Sequence, residues 1–251
     1  MAAMIRKAAK TLTHGSTEEW RALAREDNVL SNILAWPEKR GTWTEDEFYA
    51  AGQQDWEDFR RHWIHYWPEL GGTCVEIGVG AGRMTRALAA DFDRVVGLDV
   101  SMDMIERARR VVPRHVELHR VEGPQIPLAD ASADAIFSVH VLQHLDDYAA
   151  MSRYLEEARR VLKPDGAMMV HVELQSRPPS WRERARIEVG LWRSRRGLRR
   201  GRPHTLVRMK LYSSEQIQVL LDGLGFEQVE LRVFGVRSNG YRHEFFLARA
   251  P

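Results

Sequence analysis

The sequence predicts an α/β fold with a mostly parallel sheet, and three observations lead to this prediction. Residues 73–77 are largely apolar and compact, as a short buried strand requires. Alternating glycines follow immediately, and a helical pattern, residues 82–90, begins among them. A second apolar run, residues 94–99, ends on an acid and precedes another helical pattern. Strands and helices that alternate in this way pack as a sheet with helices on its faces.

Length and composition exclude several classes of protein. The 251 residues fit one α/β domain and an accessory segment, and the 44% hydrophobic and 29% charged residues are typical of a globular protein. No run approaches the roughly 18 apolar residues of a membrane span, and the basic N-terminal stretch lacks the apolar core of a signal peptide. The single cysteine, Cys74, cannot form an internal disulfide. We therefore expect a cytoplasmic protein that does not enter a membrane.

The glycines at positions 78, 80 and 82 predict a ligand-binding turn. Glycine tolerates a positive φ and lets a ligand approach the backbone, and the start of the following helix offers unpaired N–H groups. A dinucleotide fingerprint, G-x-G-x-x-G, would need its third glycine at position 83, which is Arg83. The chain instead has G-x-G-x-G behind Glu76, with Asp99 placed 21 positions after Gly78. A carboxylate at the tip of the second strand can accept hydrogen bonds from both ribose hydroxyls of a nucleoside.

This glycine triplet, the acid behind it and the spacing to Asp99 resemble the motif of class I S-adenosylmethionine (SAM) methyltransferases. The resemblance covers about residues 71–175 and 210–251. It implies a Rossmann-like, seven-stranded, mostly parallel sheet with helices on both faces and a final antiparallel pair of strands. It also implies methyltransferase activity with SAM as cofactor. The cofactor contacts that the resemblance implies in this domain are Glu76, Gly78, Gly80, Gly82, Thr85, Asp99, Val100, Met104, Glu122, Gly123 and Val139.

One of these contacts departs from the family pattern. Members of the family often have Asp-Ala or Asp-Gly after the third strand, and that acid bonds the adenine amine. Here the pair is Glu122-Gly123, so the side chain is one methylene longer.

Residues 1–70 predict a helical cap ahead of a methyltransferase domain at 71–251. Thr44 and Glu47 have the spacing of a capping box for a long helix. Its aromatic residues fit the core of a cap: Trp43, Phe48, Trp56, Phe59, Trp63 and Trp67. Part of this stretch, W-x-x-x-x-F-Y-x-x-G, also resembles a segment that closes over the cofactor in several bacterial methyltransferases. By that resemblance the lid residues are Arg40, Trp43, Tyr49 and Gly52.

Two histidines after the fourth strand are the candidate catalytic bases. The pattern predicts this strand and its C-terminal extension over residues 135–147, with His140 and His144 near its end. Family members often have V-L-x-H-L here, with the histidine facing the transferred methyl group. His144 matches that position and is the preferred general base, because imidazole titrates near neutral pH. His140 falls nearer the sulfur end of the cofactor. Either histidine could instead be structural.

His171 and Glu173 alternate onto one face at the end of the fifth strand. They could orient His144, bind the acceptor, or join His144 in holding a divalent metal such as Mg²⁺, as in the metal-dependent members of the family. No short spacing marks a metal site by itself, so metal binding stays open.

Residues 176–210 form a basic insert with eleven Arg and one Lys against two Glu. Three interpretations remain: a solvated helical face through which subunits associate, a clamp for an anionic substrate, or an RNA-binding surface. Inserts at this point usually build the acceptor pocket in the family. Arginine density suits phosphates, but no RNA-module signature appears.

The sequence as a whole predicts a SAM-dependent methyltransferase that methylates a hydroxyl on a saccharide or other small molecule. Saccharide O-methyltransferases of bacteria such as mycobacteria are one example. A tRNA or rRNA methyltransferase using the basic insert is the alternative enzyme. A SAM-binding regulator without turnover is the alternative from another class. Association into homo-oligomers through the cap or the insert is also an open expectation.

Overall fold

A seven-stranded sheet organises the computed structural model, which describes residues 16–27, 29–34, 39, 42–175 and 209–251. The helices are α1 Ser16–Leu23, α2 Val29–Ile33, α3 Glu45–Tyr66, α4 Arg83–Leu88, α5 Met102–Arg109, α6 Tyr148–Val161 and α7 Ser214–Gly223. The strands are β1 Thr73–Ile77, β2 Arg94–Asp99, β3 Val116–Arg120, β4 Ala133–Ser138, β5 Leu162–His171, β6 Glu227–Gly235 and β7 Arg242–Arg249.

The strand order is β3-β2-β1-β4-β5-β7-β6, and the pairings from β3 to β5 are all parallel. Strand β7 runs antiparallel to both of its neighbours, β5 and β6. This arrangement confirms the Rossmann-like, mostly parallel sheet and its final antiparallel pair. Because the order reverses between β1 and β4, a crevice opens at their carboxyl ends, where ligands bind in sheets of this kind.

Apolar side chains cover both faces of the sheet. On one face, Met151 and Leu155 of α6 pack in one cluster with Val75 and Ile136. On the other face, α3 packs directly on the sheet. Its buried aromatic residues Trp56, Phe59 and Trp63 share a cluster with the strand residues Phe137 and Phe245. These aromatic side chains therefore belong to the core of the sheet, and packing is continuous across residue 70. The division of the chain at that residue stays a prediction.

The fourth strand is shorter than the sequence predicts. It ends at Ser138 rather than continuing toward residue 147. His140 has a φ of 59°, a left-handed conformation that stops an extended strand. A short 3₁₀ turn, Leu142–His144, follows, and Asp147 caps α6 by accepting a hydrogen bond from the N–H of Ala150 at 2.7 Å. The candidate bases thus lie on a compact loop rather than on a strand.

Two acids of α3 fasten the turn between β6 and β7. Asp58 accepts hydrogen bonds from the backbone N–H of Arg237 at 2.8 Å and from its Nε at 2.7 Å. Asp55 accepts from the hydroxyl of Ser238 and forms a buried ion pair with Arg83. These contacts fix the start of β7 against the helix that packs on the sheet.

Two predicted segments lie outside the described residues. One includes Arg40, and the other is residues 176–208, almost all of the basic insert. Among the helices that the structure describes, none combines the length and the apolar character needed to span a bilayer. The capping box of Thr44 with Glu47 is present as predicted.

Candidate active site

A cavity opens at the carboxyl ends of β1 and β4, where the strand order reverses. Its empty space, including the part that is open to solvent, is about 1030 Å³. Its walls come from the glycine loop, from the ends of β2 and β4, and from α1. The lining includes Ser16, Thr17, Trp20, Ile33, Glu76, Gly78, Gly80, Arg83, Asp99, Val100, Met104, Val121, Val139, His140, His144 and Tyr154.

Backbone groups fix the glycine loop at the floor of the cavity. The N–H groups of Gly78 and Val79 both donate to the carbonyl of Leu98, at 2.8 and 3.0 Å. Gly78 has a φ of 83°, and a Cβ there would lie 2.2 Å from Cγ2 of Val141. Only glycine fits this position without displacing the loop that carries the candidate bases. Gly82, also at a φ of 83°, begins α4.

Asp99 joins the loop to the end of β2. Its Oδ2 accepts from the N–H of Gly80 at 2.9 Å, and its Oδ1 accepts from the N–H of Ser101 at 2.9 Å. Burial raises the pKa of this carboxyl group above its usual value. Each oxygen retains further acceptor capacity, and the residue lines the cavity. Ribose hydroxyls therefore fit the donor–acceptor chemistry of this wall.

Glu76 is a buried acid with unmet hydrogen-bonding capacity. It is 2% exposed and lines the cavity. Its Oε2 has no hydrogen-bond partner among the described residues. Burial raises the pKa of its carboxyl group to about 8. A cationic ligand would supply the missing partner, and SAM carries both an ammonium and a sulfonium group. The wall formed by Glu76 and Asp99 therefore fits this cofactor.

Helix α1, which lies in the predicted N-terminal cap, covers one side of the cavity with residues that were not predicted to belong to the site. Ser16, Thr17 and Trp20 all line it. The N–H of Ser16 donates to Oδ1 of Asp146 at 2.7 Å, and Nε of Arg21 donates to the carbonyl of Val100 at 2.9 Å. The helix is thus fastened both to the loop before α6 and to the end of β2.

The predicted lid residues Trp43 and Tyr49 are not among the described residues that line the cavity. The indole N–H of Trp43 donates to the carbonyl of Leu34 at 2.8 Å. The hydroxyl of Tyr49 donates to the carbonyl of Ala81 at 2.9 Å, which supports the glycine loop from outside. Gly52 lies where a Cβ would meet Cγ of Arg83 at 2.5 Å, so it serves close packing of α3 on α4. Cofactor contact by Trp43 and Tyr49 stays a prediction.

The predicted adenine contacts separate into two groups. Val100 and Met104 line the cavity, and Met104 also packs with Ala24 and Val29 behind α1. Glu122, whose side chain is 69% exposed, instead pairs with Arg21 at 2.6 Å and also with Arg120.

Two further predicted contacts, Gly123 and Thr85, are likewise not among the lining residues that the structure describes, while Val139 is. Thr85 is fully buried within α4. The roles of Glu122, Gly123 and Thr85 toward the cofactor therefore stay predictions.

His144 and His140 both line the cavity. His144 is half-buried, and its ring lies edge-on to that of Trp20, with 5.1 Å between the ring centroids. Burial, together with the neighbouring His171 and His243, holds the pKa of His140 well below its ordinary value. The cavity thus joins the glycine loop to both histidines that the sequence singled out.

Strand β7 supplies a further histidine that the sequence analysis missed. The ring of His243 lies 5.1 Å from that of His140 and 5.2 Å from that of His171, measured between centroids. Burial lowers the pKa of His171 to about 3 and that of His243 to about 4. Only the pairing of β7 with β5 brings His243 here, and no local sequence signal reveals this pairing partner.

Glu173 lies beside His171 and Glu244 rather than in the cavity wall. Potential ligand atoms of these three residues are all within 4.8 Å of one another. Burial raises the pKa of Glu173, and burial together with Glu173 raises that of Glu244. The structure therefore groups Glu173 with His171, as predicted from their alternation, and adds Glu244 from β7.

Comparison with known proteins identifies the domain. Residues 75–170 match the family model described as "Methyltransferase domain". A protein of Mycolicibacterium smegmatis named "Probable S-adenosylmethionine-dependent methyltransferase" is 33% identical over 117 residues, which are 45% of this chain and 44% of that protein. Dimethylglycine N-methyltransferase of Parasynechococcus marenigrum is 33% identical over 105 residues, 39% of this chain and 36% of that protein. The chain thus spans less than half the length of these curated relatives.

The fold is shared with a phosphoethanolamine N-methyltransferase of Haemonchus contortus, solved with phosphomonomethylethanolamine and S-adenosylhomocysteine. The two superpose with a TM-score of 0.58 at 19% identity, over 78% of this chain and 53% of that chain. Three observations support the same family: the order of the strands, the glycine loop with Asp99, and the match of residues 75–170 to the family model. This chain therefore contains a methyltransferase domain of the class I S-adenosylmethionine-dependent family, with S-adenosylmethionine as its cofactor.

Proposed function

We propose that the chain methylates a hydroxyl group on a saccharide or other small molecule, with His144 as the general base. One observation carries the proposal: His144 lines the same cavity as the glycine loop and Asp99. A base in that cavity can reach an acceptor placed beside the cofactor.

The chemistry asks little of the protein beyond orientation and proton removal. SAM supplies a methyl group activated by the positive charge on its sulfur. The acceptor oxygen forms a bond to the methyl carbon as the carbon–sulfur bond breaks, and sulfur keeps the electron pair. The hydroxyl proton passes to His144, whose imidazole is suited to this exchange near neutral pH. Holding the acceptor in line lowers the entropic part of the barrier.

The surroundings of His144 support a small acceptor with an apolar face. The ring of Trp20 lies beside His144, and aromatic rings of this kind stack on sugar faces. Helix α1 narrows the cavity on that side. Two of the three proteins named above have small molecules in their names or structures: dimethylglycine in the Parasynechococcus marenigrum enzyme and phosphomonomethylethanolamine in the Haemonchus contortus structure. Both are N-methyltransferases by name, so transfer to oxygen rather than nitrogen rests on the histidine alone.

The position of the basic insert also supports a role at the acceptor. The chain leaves β5 near Gln175, whose N–H donates to the carbonyl of Tyr212 at 2.8 Å. It returns at Lys210, whose N–H donates to the carbonyl of Gln143 at 2.6 Å, immediately before His144. We infer that the segment between these anchors contributes to the acceptor pocket. A cytoplasmic location remains part of the proposal, because the single cysteine of the sequence, Cys74, cannot form an internal disulfide.

An RNA methyltransferase is the second candidate, favoured by the arginines of residues 176–210. Salt dependence separates it from the first. An enzyme that neutralises six or more phosphates loses about a thousand-fold in affinity between 50 and 200 mM salt, whereas a neutral saccharide binds almost independently of salt. Labelled methyl incorporation into an oligosaccharide pool and into total RNA should be measured at both concentrations. We expect salt-insensitive labelling of the oligosaccharides. Labelling confined to RNA with a steep salt dependence would replace the proposal.

A further inference from the structure

Three histidines meet at the inner end of the cavity, and we call His140, His171 and His243 the three-histidine cluster. One ring nitrogen from each can be chosen so that all three lie within 4.8 Å of one another. The ring centroids are 4.7 Å apart for His140 and His171, 5.1 Å for His140 and His243, and 5.2 Å for His171 and His243. Three imidazoles at such distances can converge on one small ion.

The two innermost rings, those of His171 and His243, are buried and carry nitrogens that have no hydrogen-bond partner among the described residues. His171 is 1% exposed and His243 is 5% exposed. Nδ1 of His171 and both ring nitrogens of His243 have no partner among the residues that the structure describes. Buried polar atoms are normally paired, because losing hydration without a replacement is unfavourable. These nitrogens therefore point to a ligand held between the rings.

Rigid elements hold the cluster in place. His171 ends β5, His243 lies in β7, and His140 sits on the loop after β4. The fully buried rings of Phe59 and Phe245 pack against the cluster, at 5.7 Å from His243 and 5.3 Å from His171 between centroids. Ligands positioned by packed strands are preorganised, and the two aromatic rings make part of the surroundings of the cluster apolar.

We propose that the three-histidine cluster binds a divalent transition-metal ion of the zinc type. Imidazole nitrogen is a preferred ligand of Zn²⁺ and its neighbours in the first transition row, whereas Mg²⁺ prefers oxygen. Three histidines with a fourth position left open is the donor set of a catalytic rather than a structural zinc site. Here the open side faces the cavity, because His140 lines it.

The charges around the cluster allow a cation. The positive charge of Arg83 lowers the pKa of His140 and of His243, and Arg83 itself forms a buried ion pair with Asp55. His144 also lowers the pKa of His140 and of His171. On the far side, Glu173 and Glu244 lie next to His171 and offer negative charge to a bound ion. Asp55 neutralises the charge of Arg83, and the carboxyl groups of Glu173 and Glu244 can supply negative charge, so the surroundings of the cluster permit a divalent ion.

The role of the ion deepens the proposed methyl transfer and rests on it, although the binding itself does not. An ion held by His140, His171 and His243 would lie next to the cavity that the acceptor enters, because His140 lines that cavity. A divalent cation there lowers the pKa of a nearby hydroxyl group. The acceptor would then lose its proton to His144 at a lower pH than in water.

Metal titration of the whole chain tests the binding directly. Protein stripped with a chelator is titrated with Zn²⁺, bound zinc is counted by mass spectrometry after gel filtration, and the absorption of added Co²⁺ reports the ligand set. We expect one ion per chain, a melting temperature raised by about 5 °C or more at saturating Zn²⁺, and a Co²⁺ spectrum of a nitrogen-ligated ion. SAM affinity is measured on the same preparations by calorimetry, so failure of the metal site is distinguishable from failure of the cofactor site.

Matched variants assign the ion to one set of ligands. His243→Phe should weaken zinc binding about 100-fold or more, since it removes one of three ligands. Glu244→Gln, which alters only the neighbouring set of His171, Glu173 and Glu244, should keep it within a few-fold. His65→Ala, an exposed histidine on α3, is the control. If His243→Phe does not fold, His140→Ala, which is partly exposed, replaces it.

Two results would overturn the proposal. One is wild-type protein that binds no stoichiometric zinc while it still binds SAM, which would leave water as the partner of the buried nitrogens. The other is zinc binding that survives His243→Phe and His140→Ala but is lost in Glu244→Gln, which would move the ion to the carboxylate set.

Discussion

Backbone groups form most of one half of the cavity, and side chains form most of the other half. The cofactor half consists largely of backbone: N–H groups of the glycine loop donate to the carbonyl of Leu98 and to Asp99, all at 2.8–3.0 Å. The half that we propose for the acceptor, called the acceptor half below, consists of side chains, with His140 and His144 in the cavity wall and His171 and His243 behind them. A backbone floor suits a ligand common to many enzymes, while side chains determine what one enzyme accepts.

The halves also differ in how completely their polar atoms are paired. Both oxygens of Asp99 accept a hydrogen bond without any ligand, so its wall is preformed. In the acceptor half, nitrogens of His171 and His243 lack partners among the described residues. Glu76 is the counterpart in the cofactor half, with an unpartnered Oε2. The paired oxygens of Asp99 thus differ from the unpaired atoms of Glu76, His171 and His243. We infer that the unpaired buried atoms mark the places where a ligand brings charge or a hydrogen-bond donor of its own. The following changes probe it.

The largest expected effect belongs to the acceptor half. His144→Ala should lower turnover by about 100-fold, the usual worth of a positioned base, while SAM affinity stays within a few-fold. His119→Ala, a histidine on β3 away from the cavity, is the control. Steady-state kinetics and calorimetry separate the two quantities. Near-normal turnover in His144→Ala with loss in His140→Ala would transfer the role to His140.

Asp99→Ala tests the cofactor half. It removes acceptors both for the ligand and for the N–H groups of Gly80 and Ser101. We expect SAM to bind about 30-fold more weakly, corresponding to about 2 kcal/mol for charge-assisted hydrogen bonds. Asp103→Ala is the control, since that acid pairs at the surface with Arg25 at 3.2 Å. Equal affinities by calorimetry in both variants would contradict this assignment.

Glu76 gives a pH-dependent test. Its folded-state pKa, about 8, is raised above the unfolded value. Between the ordinary pKa of a carboxyl group and pH 8, Glu76 therefore takes up a proton on folding, and the free energy of unfolding falls as pH rises toward 8. We expect the free energy of unfolding without ligand to fall by about 1 kcal/mol between pH 7 and pH 8. Glu76→Gln should remove this part of the slope. Denaturant titrations at pH 7 and pH 8 measure the free energy of unfolding of both proteins. The same change between the two pH values in wild type and Glu76→Gln would exclude a raised pKa of Glu76.

The smallest expected effect concerns helix α1. Arg21→Ala removes the hydrogen bond to the carbonyl of Val100 and the exposed pair with Glu122. Because exposed ion pairs contribute little and one hydrogen bond contributes about 1 kcal/mol, SAM affinity should fall about three- to five-fold. Arg25→Ala is the matched control on the same segment. A faster SAM dissociation rate in Arg21→Ala alone would show that the helix retains the cofactor, and unchanged rates would contradict that role.

The cofactor half could be predicted from the sequence because its signals are local. Gly78, Gly80 and Gly82 lie within five positions, and Asp99 follows at the end of the next strand. Backbone geometry at such a turn restricts the residues that fit, as the 2.2 Å approach to Val141 illustrates. The alternation of strands and helices predicted the mostly parallel sheet, whereas the final antiparallel pair was expected only from the resemblance to the methyltransferase family.

In the acceptor half, His140 and His144 were predicted from the sequence, but His243 and helix α1 were not, because distant segments bring them to the site. His243 reaches His140 and His171 only through the pairing of β7 with β5. Helix α1 reaches the cavity through Ser16 and Arg21, whose partners lie 130 and 79 positions away. The hydroxyl of the predicted lid residue Tyr49 donates to the carbonyl of Ala81 outside the cavity, so its predicted contact with the cofactor stays a prediction. The early end of β4 depends on one left-handed residue, His140, which a strand-like pattern does not reveal.

A crystal structure of the whole chain with S-adenosylhomocysteine tests the central claim, that one cavity joins a cofactor half to an acceptor half. We predict the ribose hydroxyls within hydrogen-bond distance of the Asp99 carboxylate and the sulfur atom on the side of the cavity that His140 and His144 line. A cofactor bound with its sulfur directed away from both histidines, or bound outside this cavity, would contradict the account.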